Sequence, residues 1–179
     1  MTLSDAQREV RSVFLGGSIG QLVTGAIWLI SAALSTWAGE RQGIIALFLG
    51  GMLIFPLTQL SLRLIGRPGT LGRDNPLSQY SLQSVFAMVA MYPLIYAAVL
   101  YNINWFYPAF MLVVGAHYLS FIFLYGMWQY GVLAAVLFGS GLTLAVILPN
   151  TFNLGGWIAG LVLVLFALTI WKTTAWKQP

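Results

Sequence analysis

Six long apolar runs follow one another in this chain, separated by short polar breaks, and that pattern leaves few folds open. A helix rises 1.5 Å per residue and needs ~20 mainly apolar residues to cross the hydrocarbon core of a bilayer. Residues 13–37, 44–65, 80–101, 105–125, 129–148 and 155–171 each meet that requirement. Only 7% of the residues are charged, while 59% are hydrophobic. A soluble domain carries roughly 25% charged residues, so this chain cannot clothe a water-facing surface. The expected fold is all-α: a polytopic membrane protein forming a compact bundle of six transmembrane helices within a single domain, residues 1–179.

Short connections reinforce this reading. Segments 38–43, 102–104, 126–128 and 149–154 hold consecutive helices close together and antiparallel. The one long loop, 66–76, reads GRPGTLGRDNP. Asn75 is a good N-cap and Pro76 suits the first helical position, so the third helix is expected to begin at Pro76.

Orientation follows from the lysines and arginines. With the N-terminus inside, seven of the eight fall on the cytoplasmic side: Arg8, Arg11, Arg63, Arg67, Arg73, Lys172 and Lys177. Arg41 alone falls outside. This positive-inside bias supports an even number of spans with both termini cytoplasmic. Trp37, Trp105, Trp128, Trp157, Trp171 and Trp176 stand near span ends, as interfacial anchors do. The net charge of +4 serves the same orientation and the anionic head groups of membrane lipids, and calls for no nucleic acid. The polar N-terminus is not followed by a short apolar stretch with a small-residue cleavage site, so no removable signal peptide is read.

Chemistry is constrained mainly by what the spans lack. There is no cysteine, which removes disulfides and thiolate metal sites. Asp5, Glu9, Glu40 and Asp74 all lie in predicted tails or loops, so no buried carboxylate is available to drive ion-coupled transport. No nucleotide-binding glycine motif or nucleophile elbow is present. No metal site or cofactor is expected, and the two halves show no inverted repeat.

A few polar groups inside the spans are candidate site residues. His117, the sole histidine, lies well inside the fourth span. An ionisable side chain there is a functional candidate, to hold a ligand or relay a proton; the competing reading is a neutral ring hydrogen-bonded to a neighbouring helix. Gln59 and Arg63 share a face of the second helix, one turn beyond Pro56. Tyr92 and Tyr96 share a face of the third, and Tyr107 and Tyr118 lie on the fourth. These tyrosines either line an aromatic pocket or pack as a seam with their hydroxyls paired internally. Arg67, Arg73 and Asn75 in the long loop are candidates for an anion or lipid head group. Glycine-rich runs at residues 16–20, 50–51 and 139–141 offer close packing, either within the bundle or in a homo-oligomer.

The stretch NWFYPAFMLVVGAHYLSFIFLYGM at residues 104–127, GGMLIFPLTQLSLRLIGRP at 50–68 and DNPLSQYSLQ at 74–83 resemble a bacterial family of small integral membrane proteins of unknown function. The resemblance spans about residues 10–148. It implies a bacterial cytoplasmic (inner) membrane and supplies no activity and no site residues.

The leading expectation is an intramembrane pocket that binds, and in one form transports, a small amphipathic or aromatic molecule or a lipid. Its lining would be His117, Tyr118, Tyr92, Tyr96, Tyr107, Gln59 and Arg63. The alternatives are an intramembrane enzyme acting on a lipid or quinone with His117 as acid/base, and a non-catalytic partner subunit or channel.

Overall fold

A computed structural model describes residues 1–175, and among them every regular element is helical. The elements are α1 (Leu3–Phe14), α2 (Ser18–Trp37), α3 (Glu40–Leu64), α4 (Leu77–Val89), α5 (Tyr92–Tyr101), α6 (Phe106–Tyr125), α7 (Gln129–Ile147) and α8 (Leu154–Ala175). Single 3-10 turns at Leu15–Gly17 and Ile103–Trp105 lead into α2 and α6. Six helical units among the described residues are long and apolar enough to cross a membrane, with α1 joined to α2 and α4 joined to α5. The expected all-α, six-span membrane fold is therefore present. Trp176 and Lys177 lie outside the described residues.

The first expected span is two helices. α1 is amphipathic: Ala6 and Val10, four apart, are buried, while Asp5 and Arg8 face outward. Thr2 and Asp5 form a capping box that starts it. Leu15, Gly16 and Gly17 then take φ of 50°, 64° and 84°, which turns the chain into α2. Two glycines make that left-handed run affordable. The 20 residues of α2 cover ~30 Å, enough to cross by themselves. The apparent Gly16–Gly20 packing motif is thus not one helical face, because Gly16 stands in the turn.

The third span bends. α4 ends at Val89 and α5 begins at Tyr92, with Pro93 in its first turn. Proline has no N–H to give the carbonyl four residues back, and its ring crowds that carbonyl. Pro56 lies inside α3, which continues through it. α4 begins at Leu77, with Pro76 in the N-cap position, one residue later than expected; Asn75 stands one residue before the cap, where its Oδ1 accepts the Leu77 N–H at 2.9 Å.

In lipid, helices gain little from burying apolar surface against each other, so close backbone approach at small residues decides the packing. α2 lies between α3 and α8, and α6 pairs with α7 along most of its length. A Cβ at Gly25 of α2 would stand 3.0 Å from the Val164 backbone nitrogen and 3.1 Å from the Gly160 carbonyl of α8. A Cβ at Gly141 of α7 would stand 3.0 Å from the Pro108 carbonyl of α6. These glycines are occupied within the bundle. Trp28 links the two halves, its ring 5.9 Å from Tyr107 and 5.8 Å from Phe110. α3 and the α4–α5 unit are the outlying spans: their buried residues are only Gly43, Leu47 and Leu62 on α3, and Leu77, Ser84 and Ile95 on α4–α5.

Candidate functional site

The α4–α6 seam carries the polar cluster that includes the lone histidine. Tyr80 of α4 meets Phe123 of α6 at 5.1 Å near one end, and Tyr92 of α5 meets Phe110 at 5.4 Å towards the other. Between these aromatic pairs stand Ser84, His117 and Ser120. Ser84 Oγ lies 3.1 Å from His117 Nδ1. Ser84 Oγ also hydrogen-bonds Ser120 Oγ. Ser120 Oγ donates to the His117 carbonyl at 2.7 Å. The spacing of residues 117 and 120 puts both on one face of α6, so one serine of α4 reaches both.

His117 is half-buried, and its Nε2 has no hydrogen-bond partner among the described residues. Its ring meets Phe121 edge-on at 4.8 Å and Tyr118 at 5.9 Å. It lies eight residues before the end of α6, hence ~12 Å in from that end. Ala116 and Leu119 beside it on α6, and Val85 and Phe86 on α4, are exposed and apolar. The arrangement is a small hydrogen-bonding group set into a hydrocarbon-facing surface.

Tyr118 turns inward from the same turn of helix. It is buried, and its hydroxyl donates to Gln21 Oε1 of α2 at 2.6 Å. Tyr130 of α7, also buried, donates to the Gly16 carbonyl at 2.7 Å and stacks on Tyr125 at 5.1 Å. Thr58 of α3 stands next to Gly20, and its buried Oγ1 has no partner among the described residues. Gln21, Thr58, Ser84, His117 and Tyr118 thus place polar atoms on four neighbouring helices.

The other expected lining residues lie elsewhere. Tyr107 is fully buried towards the opposite end of α6, with its hydroxyl 2.6 Å from Ser31 Oγ, which in turn donates to the Gly43 carbonyl at 2.8 Å. Tyr92 is half-buried between Phe48 of α3, at 6.2 Å, and Phe110. Tyr96 is 66% exposed. Gln59 is half-buried beside Gly69, and Arg63 is exposed. The structure therefore brings His117 and Tyr118 together, joins Tyr92 to Tyr107 through Phe110 and Trp28, and leaves Tyr96 and Arg63 on the surface.

The long loop serves α1. Asn75 is buried, and its Nδ2 donates to the Ala6 carbonyl at 3.2 Å and to Glu9 Oε2 at 3.0 Å. The Gly72 N–H donates to Glu9 Oε1 at 2.6 Å. These two donors hold the Glu9 carboxyl below its ordinary range. An amide spent on a carboxylate is not aimed at an anion. Arg67 Nη1 reaches the Ser12 carbonyl at 3.5 Å, and Arg73 is exposed. From α1, Gln7 donates to the Phe123 carbonyl at 2.6 Å and Arg11 to that of Tyr125. These are last-turn carbonyls of α6, which have no partner within their own helix.

Ser84, Gln21 and Tyr130 were not among the expected site residues. A serine one turn after Tyr80 on an otherwise apolar face is the available hint for Ser84. Its meeting with a histidine 33 positions away needs the α4–α6 packing to be known.

No curated protein and no solved structure matches the chain. The match is to DUF7010, a family of unknown function, over residues 3–173, and with nearly its whole length covered the chain belongs to that family.

Proposed function

We propose that this protein binds a small amphiphile or lipid from within the bilayer, at the α4–α6 seam, with His117 as the polar anchor. What carries the reading is the half-buried imidazole, fixed at Nδ1 by Ser84 and open at Nε2, on a surface otherwise apolar. A polar side chain at that depth costs free energy unless it meets a partner, and a ligand entering laterally supplies one. Leu119, Val85 and Phe86 would face its apolar part. Tyr107 and Tyr118 shape the bundle behind the site through their internal hydrogen bonds and do not line it. Both termini are placed in the cytoplasm of a bacterium, with the protein in the inner membrane; the skewed arginines and the family resemblance support this.

A photoreactive fatty alcohol bearing a diazirine, incorporated in vesicles with the protein, tests the site. Saturable labelling of α4 and α6 around Ser84 and His117, competed by excess unlabelled alcohol and lost in His117→Ala, is expected. Even, non-saturable labelling of all the lipid-facing helices would overturn the reading.

A further inference from the structure

Counting protons in the Ser84–His117–Ser120 cluster fixes the chemistry of its open nitrogen. Three contacts need a hydrogen: Ser120 Oγ to the His117 carbonyl at 2.7 Å, Ser84 Oγ to Ser120 Oγ, and Ser84 Oγ to His117 Nδ1 at 3.1 Å. Each hydroxyl brings one proton, and a neutral imidazole brings one more. The carbonyl can only accept, so the Ser120 proton goes there. Ser84 must then give its proton to Ser120. Only a hydrogen on Nδ1 remains to fill the third contact, with Ser84 Oγ accepting. If the ring proton sat on Nε2, two protons would have to serve three contacts. One pair of electronegative atoms would then face each other with no hydrogen between them. A cationic ring would also fill the contacts, but Asp5, Glu9, Glu40 and Asp74 lie on α1, in the first turn of α3 and in the long loop, and none stands at the cluster to balance it.

We infer that His117 is held as the Nδ1–H tautomer and presents Nε2 as a bare hydrogen-bond acceptor, so that the site takes amphiphiles bearing a donor, namely alcohols or phenols. This rests on the proposed lateral site and narrows its ligand class. A ketone, ester or ether brings only acceptors and would set lone pair against lone pair. The donor hydroxyl would point into the seam and its chain would lie along the apolar surface of α4 and α6. Two serines, neither reacting with anything, act here as positioning residues that choose the ring tautomer.

The chain has one histidine, so the imidazole signals belong to residue 117, and the two ring nitrogens are told apart because Nε2 couples strongly to both ring C–H protons and Nδ1 to only one. Nitrogen-15 NMR of the full chain in lipid nanodiscs, without added ligand, should show Nδ1 protonated and Nε2 bare at neutral pH. Ser84→Ala removes the acceptor for Nδ1–H, and the signals should shift towards the Nε2–H form. A bare Nδ1 in the wild type, or two protonated nitrogens, would overturn the inference. In the photolabelling assay, an alkylphenol should compete about tenfold better than its methyl ether, the effect of one well-placed hydrogen bond. Equal competition by the two would overturn the donor requirement and leave the site standing. Failure of both, with labelling that does not saturate, would remove the site itself.

Discussion

Tyr118 shows how much a single hydroxyl can do in this bundle. Tyr118→Phe leaves the Gln21 amide oxygen without its donor, inside protein. The cost expected is about 1 kcal/mol, since hydrogen bonds between membrane helices are worth little more than that. Thermal unfolding in detergent should fall by a few degrees, while Tyr96→Phe, at an exposed hydroxyl, should leave the midpoint unchanged. Glu9 gives a pH dependence of known sign. Its carboxyl sits below the ordinary value of 4.5 when α1 is docked, because Gly72 and Asn75 donate to the charged form. The docked state is therefore favoured in full above pH 4.5, and the advantage is lost as pH falls from there through the lowered value. The protection of α1 amides against hydrogen exchange, taken relative to the intrinsic rate at each pH, should fall below that pH in the wild type and fall less in Glu9→Gln, where the Asp5 cap is the remaining lowered carboxyl of the helix. The residue types were all visible in the sequence. Their partners were not: Tyr118 and Gln21 are 97 positions apart, and no local pattern links them.

Helix contacts here are set by glycines, and not all glycines are equal. Gly25→Val should drive a side chain into the backbone of α8, whereas a Cβ at Gly51 meets nothing within 4 Å. Overpacking of this kind costs about 1–3 kcal/mol, so Gly25→Val should lower the unfolding temperature and the folded yield while Gly51→Val changes neither. That the chain is built of six helical units of membrane-crossing length was legible, because the hydrocarbon thickness imposes length and polarity together. The breaks were less so. The Gly16–Gly17 pair looked like part of a helix-packing stripe, yet serves as the turn between the amphipathic α1 and α2. The Thr2–Asp5 capping box followed by buried Ala6 and Val10 was the readable sign of that separate helix. Pro93 is the visible sequence sign of the bend between α4 and α5.

The arrangement of the whole bundle could be read only in part. Short loops made α2 and α3 neighbours, and α6 and α7, as chain connectivity requires. The extensive pairing of α2 with α8, which unites the first and last spans, is not implied by any loop. It rests on Gly25 of α2 lying against Val164 and the Gly160 carbonyl of α8, and Gly160 lying against Leu29 of α2, a match of shapes between distant segments that hydrophobicity alone does not encode. The same packing leaves α3 and α4–α5 at the outside and brings a polar cluster to the hydrocarbon-facing seam. The absence of cysteine makes one measurement decisive for that arrangement. A single cysteine placed at position 117 and spin-labelled in vesicles should relax readily with dissolved oxygen and resist a water-soluble nickel chelate, as a lipid-facing position within the bilayer does. Ready relaxation by the nickel chelate, with little response to oxygen, would put position 117 in water and contradict the membrane site on which this account of the protein depends.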